Sequence, residues 1–363
     1  MSKNSLHKLI SEKRCIIVCG GGGVGKTTTA AGLALAATRV HKKVLVVTID
    51  PAKRLAEAFG FSQKSLELGG EPILLSSEAK QKLGIAPDAA LSVGILNPKY
   101  VLQQVISQTL SQEQADRLQK TILYTQLSEM VYGLQEYTAY EWVTRMIQNG
   151  DYDLIVLDTP PSFHAKDFFL VPDKVKNLME SRVFQLFAPK KRSWFSAVMS
   201  FSWIEKLLGH KLYHESRMFL ETFALLRDRI LERCDLLSRF FTQHEVAVIA
   251  VSTPESSAMF ELDGLDHFLR ERKIQLEGVI VNQVEQTNSM DLEDLNTLND
   301  DLQAKLKQLE LHQQKRVEKA QLSIQKCRAR YPLLEVVTAP MVYEPDGFTI
   351  LKQTANSLYP LPF

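Results

Sequence analysis

The sequence predicts an α/β fold: a mostly parallel sheet flanked by helices, with a helical subdomain inserted over residues 165–243. Three observations predict it. Short apolar runs recur along the 363 residues, separated by stretches of helical spacing. The first run enters a glycine-rich turn and then a small-residue helix pattern. Two later runs end in aspartate, where the carboxyl end of a parallel strand opens on a ligand crevice.

The first run is Cys15-Ile16-Ile17-Val18-Cys19. The turn is Gly20-Gly21-Gly22-Gly23-Val24-Gly25-Lys26-Thr27-Thr28, and Thr29 to Ala37 continue as helix. Strand, glycine turn and helix form the context of a phosphate-binding loop. Glycine lets backbone N–H groups turn toward phosphates, and the helix N-terminus adds partial positive charge. Lys26 is placed to reach β- and γ-phosphates, and the Thr27 hydroxyl to ligate Mg²⁺. Gly20, Gly22 and Gly25 also satisfy a dinucleotide fingerprint, with Asp50 as its ribose acid. Lys26-Thr27 directly after the last glycine favours a nucleoside triphosphate, and with it the P-loop NTPase form of the fold.

Lys43 to Ile49 read as a second buried strand ending at Asp50, and Pro51 stops it. Asp50 reads as the group that orients the attacking water or holds Mg²⁺, or else as a cap for the next helix. Residues 62–82 read as strand and loop. Residues 98–148 read as mainly helical, from Val101 and Val105 to Leu127 and Leu134. Tyr152 to Leu157 form a third strand ending at Asp158, a Walker B arrangement for Mg²⁺; a cap is again the structural alternative. The stiff loop Thr159-Pro160-Pro161-Ser162-Phe163-His164 follows, where a γ-phosphate sensor would stand.

Residues 165–243 carry large apolar side chains at helical spacing, including Phe168, Phe184, Trp194 and Phe201. They read as a helical subdomain with its own core, or as an apolar groove or membrane-surface helix. Val246 to Val251 and Leu276 to Gln283 are further buried strands, joined by a helix over about residues 255–272. Asn282 offers a carboxamide to a purine edge, or a cap to the next turn. Residues 288–330 repeat leucine every three or four positions from Leu292 to Leu309, an amphipathic helix. Leu333 to Pro340 form the last strand, and Phe348 to Tyr359 a closing helix.

The length exceeds one typical domain and fits two units, or one domain with a large insertion. A net charge of +1 gives no footprint for nucleic acid. Four cysteines without a C-x-x-C pair suggest a reducing, cytoplasmic setting. No apolar run reaches the roughly 18 residues of a membrane span.

In combination, Gly22-Gly23-Val24-Gly25-Lys26-Thr27-Thr28, Asp50-Pro51-Ala52, Asp158 to His164 and Val281-Asn282-Gln283 resemble the arsenite-pump ATPase family. That family includes the ATPase that targets tail-anchored membrane proteins. The resemblance spans residues 14–359. It implies ATP and Mg²⁺ as cofactors, with Asp50 orienting the hydrolytic water and Thr27 on Mg²⁺. It also implies that Asp158 closes Walker B, that Asn282 reads adenine and that the segment from Pro340 forms an adenine loop. It implies a homodimer or heterodimer, and a hydrophobic client protein or membrane partner, with a peripheral place at the membrane. The family's signature lysine is replaced by Gly21, as in a bacterial branch that pairs with a lysine-bearing paralogue. The thiols of an arsenite site and the C-x-x-C zinc clasp are missing. An ATPase, an ATP-binding regulatory subunit and a metalloid-pump subunit are the three functions carried forward.

Overall fold

The computed structural model describes residues 5–41, 43–49, 54–61, 71–120, 134–159, 162–180, 210–286, 300–344 and 346–360. Asp50, Pro51, Pro160, Pro161, residues 181–209 and the leucines at 292, 295 and 298 lie outside them. The strands are β1 (Cys15–Gly20), β2 (Lys43–Thr48), β3 (Ile73–Leu74), β4 (Ala90–Ile95), β5 (Leu154–Asp158), β6 (Val246–Ser252), β7 (Leu276–Val284) and β8 (Glu335–Pro340). The helices are α1 (Leu6–Glu12), α2 (Lys26–Ala37), α3 (Arg54–Ala58), α4 (Ser77–Leu83), α5 (Pro98–Thr109) and α6 (Gln112–Gln119). They continue with α7 (Leu134–Asn149), α8 (Ser162–Glu180), α9 (His210–Phe240), α10 (Ser256–Glu271), α11 (Asp300–Arg330) and α12 (Gly347–Leu358).

Among the described residues the strands form one sheet in the order β3-β4-β2-β5-β1-β6-β7-β8. All neighbours are parallel except β3, which runs antiparallel to β4. The central strands β1, β5 and β6 are buried along their whole length and mostly apolar, as parallel strands covered on both faces are. β5 lies between β1 and β2, so the ends of three strands meet at one point of the sheet edge.

Helix α2 is built mainly of alanine, glycine and threonine, with Leu33 and Leu35 among them, and is buried on nearly every side. Small residues permit that closeness. A Cβ on Gly32 would stand 2.6 Å from Cγ2 of Thr354 on α12. The core joins α1, α2, α12 and the inner strand faces, with Ile10, Leu33, Val46 and Leu91 fully buried.

Of residues 62–82, expected as strand and loop, 62–70 lie outside the described residues, and the remainder holds only two strand residues before α4 begins. Ser76 caps that helix by accepting from Ala79 N–H, and Gly84 ends it at φ +72°. The leucine stripe of α11 is a second difference. Its buried positions are Val317, Ala320, Ile324 and Cys327, whereas Leu309 is 64% exposed. The periodicity there marks a helix but not the face that packs.

The chain divides into two compact units, one of residues 1–95, 150–166 and 242–363, the other of residues 96–149 and 167–241. In the second, α9 packs on α5, α6 and α7. Tyr140 stacks on Phe168 with centroids 4.3 Å apart, and its hydroxyl donates to the Phe168 carbonyl at 2.6 Å. Phe241 meets Tyr140 edge-on at 5.1 Å. Arg233 grips the Glu141 carboxylate through Nε at 2.8 and 2.9 Å, and the Tyr137 hydroxyl donates to the same carboxylate at 3.1 Å. Burial, then the Glu141 charge, pushes the Tyr137 phenol far above its ordinary value.

Candidate functional site

β1 delivers the loop from Gly20 into α2. Two glycines adopt left-handed backbone, Gly23 at φ +76° and Gly25 at φ +83°. Gly25 is the N-cap of α2, so the helix opens without a capping side chain and without an acidic residue in its first turn. A helix leaves its first N–H groups outside its own ladder, and they favour an anion. A Cβ on Gly22 or Gly23 would meet no atom within 4 Å, so the mouth of the loop is open. Below Gly25 the space is closed, because a Cβ there would lie 2.2 Å from Asn282 Nδ2. This combination of an open mouth, a closed floor and a donor-rich helix end fits a polyphosphate.

Lys26 is buried, and its Nζ donates to the Gly21 carbonyl at 2.6 Å. It thus folds over the loop within reach of a phosphate placed in the mouth. Val24 packs into the core and holds the loop down. Thr28 stands in the first turn of α2.

Beside the loop, the parallel register brings Asp158 level with Val18 on one side and Thr48 on the other. Its Oδ2 accepts from the Thr27 hydroxyl at 2.8 Å and from the Thr48 hydroxyl at 3.1 Å. Asp158 as a residue is 1% exposed. A buried acid held by two hydroxyls beside a phosphate loop fits Mg²⁺, which takes a hydroxyl, phosphate oxygens and water rather than an all-protein cage. Behind Asp158 the Thr159 hydroxyl and N–H both donate to the Val18 carbonyl, at 2.9 and 3.2 Å, tying the strand exit to β1. Burial pushes the Cys19 thiol up to about 12, so it stays protonated behind the loop.

The structure therefore brings together Gly22, Gly23, Val24, Gly25, Lys26, Thr27, Thr28, Asp158 and Asn282. Asp50 lies outside the described residues, two positions beyond Thr48. Pro340 ends β8 and pairs in register with Val284 of β7. Asn282 donates from Nδ2 to the Val24 carbonyl at 3.0 Å, and its neighbour Gln283 donates from Nε2 to the Gly23 carbonyl at 3.1 Å. Sequence reasoning gave no role to Thr48, Gln283 or Glu261. Thr48 carried a signal, a hydroxyl two residues before the acid at a strand end. Glu261 carried none: it comes from α10, and its Oε2 lies 2.4 Å from where a Cβ on Gly21 would stand.

A glycine-rich loop between β1 and α2, with an acid ending the adjacent strand, has the arrangement of a P-loop nucleoside triphosphatase. Comparison with known proteins narrows the class. Residues 13–359 match the profile of the ArsA ATPases, described as anion-transporting ATPases, and the chain belongs to that ATPase family. It is 26% identical to the ATPase ASNA1 homolog 2 of Paramecium tetraurelia, over 74% of this chain and 75% of that protein. It is 24% identical to the ATPase GET3 of Mycosarcoma maydis, over 77% and 76%. Against the ATPase get3 of Aspergillus terreus it is 26% identical over 77% of this chain and 76% of that protein.

Proposed function

We propose that this chain is a Mg²⁺-dependent ATPase that works in a dimer and couples ATP binding and hydrolysis to a hydrophobic client or membrane-linked partner. The observation that carries the reading is the convergence of the Thr27 and Thr48 hydroxyls on the buried Asp158 carboxylate, beside an open glycine loop. Lys26 leaves the Gly21 carbonyl for the β- and γ-phosphate oxygens, and the loop N–H groups hold the rest of the triphosphate. Thr27 and Asp158 hold the metal, which when bound offsets negative charge building on the phosphates. Asp50 orients the attacking water, as the family resemblance implies. Asn282 and the segment from Pro340 face the adenine on the same ground.

The client half rests on the family resemblance and on the helices that the described residues of the second unit form, α5, α6, α7 and α9. A client or partner would be engaged in one nucleotide state and released in the other. Among the described residues no helix is long and apolar enough to cross a membrane. A cytoplasmic protein, peripheral at the membrane when engaged, is the proposed setting.

A second reading, an ATP-binding regulatory subunit, has one observation in its favour. Gly21 stands where the family carries its signature lysine, and the Glu261 carboxylate crowds that position. The cation for the transition state would then come from a lysine-bearing paralogue. The metalloid-pump reading would need thiolates, whereas all four cysteines are buried and burial raises every thiol, to about 12 for Cys15, Cys19 and Cys234 and about 11 for Cys327.

The test is ATP turnover by the purified chain alone, beside Lys26→Ala and Asp50→Asn. Turnover lost in both variants supports the self-sufficient enzyme. ATP binding without turnover supports the subunit that needs a partner. Absence of ATP binding refutes both.

A further inference from the structure

The end of β7 departs from regular strand geometry where it meets the phosphate loop. In a regular strand consecutive side chains point to opposite faces. Here Val281 pairs with Thr338, and the next pair is Val284 with Pro340. Three steps on β7 match two on β8, so β7 carries one extra residue, a bulge. Gln283 lies in it at φ +58°, one of two non-glycine residues with left-handed backbone among those described. Such a conformation disfavours a residue with a Cβ, and it persists only where its surroundings over-determine it.

The bulge has a specific result. Asn282 and Gln283, adjacent in sequence, both reach the phosphate loop, one at the Val24 carbonyl and the other at the Gly23 carbonyl. A carbonyl oxygen only accepts, so both carboxamides must present their NH₂ groups to the loop. In a trans peptide the C=O and the following N–H point in opposite directions. Drawing the Gly23 and Val24 carbonyls toward β7 therefore aims the N–H groups of Val24 and Gly25 the other way, into the open mouth of the loop.

We infer that Gln283 is a positioning residue: its strained backbone and its amide donor hold the Gly23–Val24 peptide so that the Val24 N–H faces the phosphates. The inference rests on the nucleotide reading above. The hold on the Gly23–Val24 peptide operates without nucleotide as well.

Three variants separate this role from a structural one. Gln283→Gly removes both the donor and the backbone strain. Gln283→Asn keeps an amide that tolerates left-handed backbone but is one carbon shorter. Gln283→Glu keeps the shape and has no donor when ionised. Each is measured for its urea midpoint, for Mg·ATP affinity by calorimetry, for KM and kcat, and for amide hydrogen exchange over residues 20–26 without nucleotide. For Gln283→Gly the expected result is a midpoint at or above that of the unaltered chain, with ATP bound about tenfold more weakly. KM rises by more than kcat falls, and exchange is faster at Val24 and Gly25. Gln283→Asn follows it in affinity, and Gln283→Glu binds more weakly still.

A merely structural residue would lower midpoint and affinity together, and that pattern overturns the inference. So does unchanged exchange at Val24 and Gly25, whether or not the chain binds ATP. Failure of the unaltered chain to bind ATP would instead remove the nucleotide reading, with the exchange result still deciding the role of Gln283 in the loop.

Discussion

Gly25→Ala and Gly22→Ala form a pair whose difference is set by the shape of the loop. At Gly25 the backbone is left-handed, and a Cβ would lie 2.2 Å from Asn282 Nδ2. The alanine costs about 1–2 kcal/mol for its backbone conformation. It also displaces the Asn282 amide from the Val24 carbonyl, which costs about 1 kcal/mol more. Together these predict a loss of about 2–3 kcal/mol, read as a lower urea midpoint at unchanged m-value. At Gly22 a Cβ meets nothing within 4 Å. Gly22→Ala should therefore keep its midpoint within about 0.5 kcal/mol. Its methyl group, however, projects at the loop mouth, so ATP affinity should fall by about tenfold or more. The assay is parallel urea denaturation and Mg·ATP calorimetry on both proteins. A Gly25→Ala protein with unaltered midpoint and affinity would refute the closed floor. A Gly22→Ala protein that binds ATP normally would refute the placing of the triphosphate in the mouth.

Further outcomes are expected. Asp158→Asn keeps the shape of the Thr27 and Thr48 contacts but removes the charge, and should lower turnover by about 10²–10³-fold while raising the Mg²⁺ concentration needed, as read by a metal titration of phosphate release. Arg233→Ala leaves the Glu141 carboxylate, whose side chain is 8% exposed, without its guanidinium, and should cost about 3–5 kcal/mol in urea unfolding. Replacing Glu141 and Arg233 together with leucine and methionine should recover much of that loss. The thiols should resist labelling by a disulfide reagent at about pH 8 in the folded chain and react in urea. Raised thiol values mean stability that is complete below the ordinary thiol range and declines as pH rises toward about 12, so alkaline unfolding should begin in that interval.

Legibility followed the physics of each segment. The runs at Cys15, Val44, Leu154, Val246 and Val279 were plain because both faces of a central parallel strand are buried. β4 passed unread, since Ala90-Leu91-Ser92-Val93-Gly94-Ile95 mixes small and polar residues with apolar ones. α1 passed unread in a polar N-terminus, where only Leu6, Leu9 and Ile10 face inward. The phosphate loop, Thr27 and Asp158 were legible because their spacing is local. Thr48 left only a weak local sign, its hydroxyl two residues before Asp50, and meets Asp158 because β5 is inserted between β1 and β2; Glu261 reaches Gly21 across more than two hundred positions, which no local pattern encodes. The union of residues 96–149 with 167–241 rests on contacts such as Tyr140 with Phe168, which likewise leave no periodic trace.

The lysine folded onto the Gly21 carbonyl also bears on which anions the loop would favour. A buried ammonium with nothing to hold it would be a trap for chloride, bicarbonate or any small anion in the surroundings. Here an incoming ion must outcompete a neutral oxygen already at 2.6 Å. A monoanion offers one contact in exchange and gains little. A triphosphate engages the lysine and several backbone donors at once, and only such a ligand exceeds what the loop gives up. A lysine held in this way would favour visitors by the number of oxygens they bring, ahead of any recognition of the base.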